Sequence, residues 1–210
     1  MKFDIIETGS TGNAMVINST ILIDCGVPFK KLSDYYRKLN LVLLTHVHGD
    51  HFYKTTIKRL SEERPILRFG CGQWLVQNLV DLGVNKRNID VYQMNTVYDY
   101  KKFKIKPFDL VHNVPNCGYR INIEGEKLIY ATDTNSMSHI DAKGYDYYFI
   151  EANYTEDEIR ERIKEKEQQG LFVYELDVLK NHLSKEKCDN WLYKNMSSNS
   201  QYVYMHGHAE

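Results

Sequence analysis

The apolar run Leu41, Val42, Leu43, Leu44 passes without a turn residue into Thr45-His46-Val47-His48-Gly49-Asp50-His51. A continuous aliphatic run of this kind reads as a strand covered on both faces, the usual condition of a parallel sheet. Parallel strands need long, commonly helical crossovers, so the chain is held to an α/β architecture. The polar cluster then falls just past the C-terminal end of a strand, where open α/β sheets place their ligands.

In the extended part of the cluster, residues two apart face the same way, so His46 and His48 can converge on one ion. After Gly49 the chain turns toward helix, which redirects Asp50 and His51 toward a second. Imidazole nitrogen and carboxylate oxygen suit borderline divalent metals such as zinc, at about 2.0 to 2.2 Å. Burying so many of these groups together without a cation would be expensive. Four donors cannot fill two coordination spheres, so others must come from elsewhere in the chain. The candidates are His112, Asp133, His139, His182, His206 and His208, with His139 read as surface and His206 as a support for a ligand.

Around this cluster the chain alternates. The runs "KFDIIET", "NAMVINS" and "ILIDCG" are short strands separated by turn residues such as "GSTGN". Residues 28–39 carry apolar side chains at spacings of three and four after a proline, which predicts a helix. Helix, strand, helix and strand follow over 51–94, then a second meander through "YKKFKIKPFD", "GYRINIEG" and "KLIYATD", with "EGEK" as a hairpin turn. "YKKFKIK" reads as an edge strand guarded by lysines. "YDYYFIEANY" is a buried strand, "TEDEIRERIKEKEQQ" a polar helix with Thr155 and Glu158 as a capping box. A helix over 184–195 and the strand "QYVYMH" complete the pattern. Two β sections, each followed by helices, imply one domain over residues 1–210 built as two packed sheets flanked by helices.

Hydrophobic residues at 42% and charged residues at 26% are ordinary globular usage, and a net charge of −1 excludes a broadly basic nucleic-acid binder. Any phosphate recognition must come from a local patch or from bound metal. Cys25, Cys71, Cys117 and Cys188 are widely scattered, which predicts free thiols in a reducing compartment. The opening "MKFDIIETGS" alternates like a strand and lacks a secretory pattern, and no segment approaches the roughly 18 apolar residues that span a membrane. A cytoplasmic protein without a membrane partner is expected.

The signature His46-Val47-His48-Gly49-Asp50-His51 resembles that of the metallo-β-lactamase superfamily. "GSTGNA" and "LIDCG" look like that family's opening motifs and "YATDT" like its bridging-aspartate motif. The resemblance implies an αββα sandwich of two mixed sheets flanked by helices. It places His46, His48 and His112 on one metal, Asp50, His51 and His182 on the other, and Asp133 between them. The implied cofactors are two divalent ions, zinc first, with manganese or iron as alternatives. A familiar group of true lactamases carries cysteine where this chain has Asp133, which turns the expectation away from antibiotic hydrolysis. "GSTGNA", "EANY" and "NHLSK" look most like single-domain bacterial exonuclease-like proteins and, more distantly, ribonuclease Z enzymes.

Two such ions about 3.5 to 4 Å apart can hold a bridging hydroxide and clamp the oxygens of an in-line displacement at phosphorus. The expected activity is therefore that of a phosphodiesterase or nuclease. The expected substrate is a phosphodiester, either single-stranded nucleic acid or a nucleotide. Asp50 and Asp133 are catalytic candidates that orient the nucleophile. Lys185 is the candidate cation for phosphate, with Ser184 and Asn153 as donors. Tyr154 is counted with them because relatives often carry a histidine at its place, a departure that bears on that histidine's proposed role as proton donor. The alternatives from the same residues are a thioester or lactone hydrolase and a metal-stabilised binding module.

Overall fold

The computed structural model of the chain describes residues 1–207. His208 lies outside the described residues. The chain divides into two compact units, Met1–Val97 and Tyr98–Glu210. Each unit is built on one six-stranded sheet.

In the first unit, β1 (Phe3–Glu7), β2 (Ala14–Ile17), β3 (Ile21–Ile23), β4 (Leu41–Leu43), β5 (Arg68–Gly72) and β6 (Ile89–Tyr92) lie side by side in chain order. β1 to β3 pair antiparallel, and β3 to β6 are parallel. β2, β3 and β4 are buried at every position, as their unbroken apolar sequences require. Two helices accompany this sheet. α1 (Lys54–Glu63) buries Thr56, Ile57 and Leu60 along one stripe, and α2 (Val76–Asp81) is closed by Gly83 at φ +88°. Val16, Leu22, Val42 and Phe69 of the sheet form one core with Ile57, Leu60, Leu75 and Leu79.

Two expectations change here. Residues 28–39 form one 3-10 turn, Phe29–Leu32, followed by irregular turns. Only Leu32 and Leu39 of that segment's apolar set are fully buried, too little to offset the cost of nucleating a helix. α1 starts at Lys54 because the His48 carbonyl accepts both the His51 and Phe52 amides, at 3.0 and 2.7 Å. The donor loop therefore keeps a tight turn of its own.

In the second unit, β7 (Tyr98–Asp99), β8 (Phe103–Leu110), β9 (Asn116–Ile123), β10 (Glu126–Ala131), β11 (Tyr147–Glu151) and β12 (Gln201–Met205) run in the order β12-β11-β10-β9-β8-β7. β10, β11 and β12 are parallel, and the rest pair antiparallel. The β9–β10 turn places Glu124 and Gly125 at φ +53° and +93°, the hand that matches strand twist in a tight hairpin. α3 (Glu156–Gln168) starts at Thr155, whose hydroxyl oxygen accepts the Glu158 amide. α4 (Glu175–Asn181) and α5 (Lys185–Asn195) follow, α5 capped by Ser184. Ile129, Ala131, Tyr148 and Ile150 of the sheet pack with Leu183, Cys188, Trp191 and Leu192.

β8 is an inner strand, not an edge. The two residues of β7 cover it at Lys104 and Ile105. Tyr119, Tyr130 and Tyr148 are fully buried, and the Tyr148 hydroxyl lies 2.7 Å from the Ala142 carbonyl and 2.9 Å from that of Asn195, either of which can accept its hydrogen. Two mixed sheets with flanking helices are the architecture expected from the sequence. All four cysteines are free and buried, and burial pushes the Cys71 and Cys188 thiols up to about 12. Among the described residues no helix is long and apolar enough to cross a membrane.

Candidate metal centre

In the first unit the chain leaves β4 directly into the donor loop. His46 and His51 are fully buried, while His48 and Asp50 are partly exposed. Asp24, just past β3 and at φ +56°, organises this loop from beneath. Its Oδ1 accepts the Thr45 amide at 3.0 Å and the Thr45 hydroxyl at 2.9 Å, and its Oδ2 lies 2.7 Å from His51 Nδ1. A carboxylate on Nδ1 fixes the imidazole tautomer and turns Nε2 outward as the donor atom, the arrangement common behind metal-bound histidines. His46 Nε2 and His48 Nδ1 lie 3.1 Å apart, so the two rings do converge as their spacing in extended chain requires.

Asn13 supports the loop from the other side. The Asn13 main-chain N–H donates to the Asp50 carbonyl at 2.6 Å, and the side-chain Nδ2 lies 2.9 Å from His51 Nε2. This close approach depends on glycine. A Cβ on Gly26 would sit 1.6 Å from the Asp50 carbonyl oxygen, and one on Gly12 would sit 2.6 Å from that of Gly26. The "GSTGNA" and "LIDCG" stretches are thus the scaffold on which the donor loop is folded.

In the second unit the donors gather where β10, β11 and β12 end. Asp133 follows β10 at φ +56°, with its carbonyl held by the Asn116 amide at 2.7 Å. His206 follows β12 at φ +54°, and His182 ends α4. His112 comes from the end of β8, with Nδ1 facing the Asn181 carbonyl at 3.1 Å. Around Asp133 Oδ1 stand His206 Nε2 at 3.5 Å, His182 Nδ1 at 3.7 Å and His112 Nε2 at 3.8 Å.

Glu151, the last residue of β11, lies beneath this group. Oε1 is 2.6 Å from His182 Nδ1 and 3.6 Å from His206 Nδ1, and Oε2 accepts the Thr134 amide at 2.7 Å. Burial pushes the Glu151 carboxyl above the usual carboxylate range, against the pull of its bond to His182. Asn153 Nδ2 lies 3.1 Å from His206 Nδ1 and donates to the His206 carbonyl at 2.9 Å. Donor atoms of Asp133, Glu151, His182 and His206 all lie within 4.8 Å of one another. Two buried carboxylates beside two imidazoles are a set that a divalent cation fits, because it offsets charge that burial otherwise penalises.

Sequence reading did not name Glu151, Asp24 or Asn13 as site residues, and it gave His206 only a supporting place. A carboxylate ending a strand carries no spacing signal. His206 does carry one, since it ends a strand as His46 does. Other candidates are engaged differently. The Lys185 ammonium donates to Asp189 at 2.9 Å, and Ser184 caps α5. Tyr154 bridges Ser184 through its backbone, and burial raises its phenol, with Glu156, Glu151 and Glu186 adding to the shift. His139 is exposed, with Nε2 3.4 Å from the Asp109 carbonyl.

The family model described as beta-lactamase superfamily domain matches residues 19–175. The chain belongs to the beta-lactamase superfamily. Solved structures of similar fold place this superfamily member among metallo-beta-lactamase fold proteins. One is the metallo-beta-lactamase fold protein YhfI from Bacillus subtilis, with TM-score 0.75 and 16% identity over 99% of this chain and 86% of that one. Another is human tRNase Z, short form (ELAC1), with TM-score 0.73 and 15% identity over 100% of this chain and 93% of that one. A third is Zn(2+)-bound PqqB from Methylobacterium extorquens, with TM-score 0.71 and 11% identity over 99% and 89%. No curated protein matches the chain. The superfamily fold and the donor clusters account together for the "HVHGDH" loop and for the residues that support it.

Proposed function

We propose that the chain is a two-metal hydrolase of phosphodiesters, a nuclease or phosphodiesterase working as one cytoplasmic domain over residues 1–210. His46, His48 and His112 serve one ion, Asp50, His51 and His182 the other, and Asp133 is shared. The observation that carries this reading is the set of Asp133, Glu151, His182 and His206 within 4.8 Å, three of them at the ends of the parallel strands β10, β11 and β12 and His182 at the end of α4. His206 joins the donors on the same geometry, with Nδ1 held near Asn153 and Nε2 toward Asp133.

When bound, divalent ions make hydroxide available near neutral pH and offset charge on phosphate oxygens. The chain's own groups do the positioning. Asp24, Glu151 and the Asn181 carbonyl each face one ring nitrogen of a histidine and so aim the other. Asp50 and Asp133 orient an attacking water by accepting its hydrogens. Tyr154, whose phenol burial keeps protonated, is a hydrogen-bond donor to substrate. Lys185 meets phosphate by exchanging Asp189 for it.

The tRNase Z among the structural neighbours and the "NHLSK" stretch around His182 support phosphodiesters over thioesters and lactones. The Zn(2+)-bound PqqB supports zinc as the metal, ahead of manganese or iron. The test is metal-loaded protein assayed on bis(p-nitrophenyl) phosphate, single-stranded DNA, RNA and a glutathione thioester. Phosphodiester turnover is expected; turnover of the thioester alone would overturn the reading.

A further inference from the structure

The second unit carries a groove of about 960 Å³ that the donor cluster does not use. This is the upper end of the range of about 300 to 1,000 Å³ that small ligands fill. One wall begins at Asn135, two residues past Asp133, and runs along the loop through Met137, Ile140 and Lys143. The other wall is α5, where Lys187, Asn190, Trp191 and Lys194 share one helical face.

The groove is preformed. Asn135 Nδ2 donates to the Lys180 carbonyl at 2.7 Å, Trp191 Nε1 to the Ile140 carbonyl at 2.8 Å, and the Ala142 amide to Asn195 Oδ1 at 2.9 Å. These bonds tie the loop to α4 and α5 at several points along its length.

Its charge is unlike that of the chain as a whole. Lys143, Lys187 and Lys194 line it against one carboxylate, Asp141. Lys31, Lys104, Lys166, Lys180 and Lys185 are each paired with a carboxylate, whereas the groove lysines have no ion pair among the described residues. Cations left unpaired in a groove are what a polyanion requires. Lys187 and Lys194, two turns apart on α5, are separated by about 10 Å along the axis. That separation is too wide for one phosphate and suits two different phosphates of a single strand. Asn190 offers an exposed amide that matches base edges in donor and acceptor, and the exposed Leu179 offers apolar surface for a base face.

We propose that this groove binds the backbone of a single-stranded nucleic acid, through Lys143, Lys187 and Lys194, on the stretch beside the bond to be cut. The assignment rests on the phosphodiester reading for the purpose of binding, although the binding itself is measured without it.

The experiment uses the full chain freed of metal by chelation and a fluorescein-labelled oligonucleotide of about a dozen nucleotides, read by anisotropy. Lys143→Ala/Lys187→Ala/Lys194→Ala should weaken binding at least tenfold near 50 mM salt. It should also flatten the dependence of log affinity on log salt by about 2, given about 0.7 per phosphate contact on single strands. The same three positions changed to Arg should restore both. Lys101→Ala/Lys102→Ala/Lys104→Ala, in the competing basic stretch, should change neither, and polyglutamate should compete poorly. Unchanged binding in the groove variant, no binding by the unaltered protein, loss in the competing variant instead, or equal competition by polyglutamate would each overturn the assignment. Failure of the phosphodiester reading shows separately, as metal-loaded unaltered protein that leaves bis(p-nitrophenyl) phosphate intact while oligonucleotide binding stays lysine-dependent.

Discussion

Asp24 Oδ2 lies 2.7 Å from His51 Nδ1, and both side chains are fully buried. The same carboxylate holds Thr45 through its other oxygen, so one residue past β3 fixes both ends of the donor loop. Partners behind metal-bound histidines typically govern affinity by about 10- to 100-fold. Asp24→Asn is therefore expected to weaken zinc binding by about that factor while His51 itself is intact. Competition with a chromogenic chelator measures it, and unchanged affinity would remove Asp24 from the support of the site.

Glycine is required at one point of this loop's packing and indifferent at another. A Cβ at Gly26 would overlap the Asp50 carbonyl, whereas one at Gly49 meets nothing within 4 Å. Gly26→Ala should cost about 1 to 3 kcal/mol or more, the range for overpacking, and Gly49→Ala no more than about 0.5 kcal/mol. Urea denaturation of the two variants checks the contrast.

The donor loop was legible in the sequence because its chemistry is local: a strand, then ligands two residues apart, then a turn. The second unit's cluster was legible only in part. His112, Asp133 and His182 could be picked by the family motif, but Glu151 looks like any residue ending the strand "YFIE", and only parallel pairing of β10, β11 and β12 brings it under His182 and His206. α4 went unread because residues 171–179 place apolar side chains on several sides, with Leu171, Phe172, Leu176 and Leu179 all left exposed. The helix expected over 28–39 failed for the opposite reason: its spacing was right, but the burial to support it was absent.

His182 and His206 make distinct use of their rings. Their planes stack at 11° with centroids 5.2 Å apart, yet His182 turns Nδ1 to Glu151 whereas His206 turns Nε2 to Asp133. His206→Ala should therefore lower bound metal at least as far as His182→Ala does. Metal analysis of the two variants after dialysis decides it; full occupancy in His206→Ala would return that residue to a supporting role. His208→Ala should leave metal content and turnover unchanged.

Glu151 gives a further expectation. Glu151→Ala leaves the Thr134 amide and His182 Nδ1 without their carboxylate, so it should cost about 1 to 3 kcal/mol for each buried group left unsatisfied. Glu151→Gln, which keeps the shape, should lose less stability than Glu151→Ala. Thermal unfolding of both variants orders them.

The central claim is that two ions and a shared Asp133 make one hydrolytic site. Metal-free protein titrated with zinc while bis(p-nitrophenyl) phosphate hydrolysis is followed tests it most directly. Activity should rise to its plateau only as the second equivalent binds, and Asp133→Ala should stay inactive at every zinc level. Full activity in Asp133→Ala, or none in the unaltered chain with both equivalents bound, would contradict it.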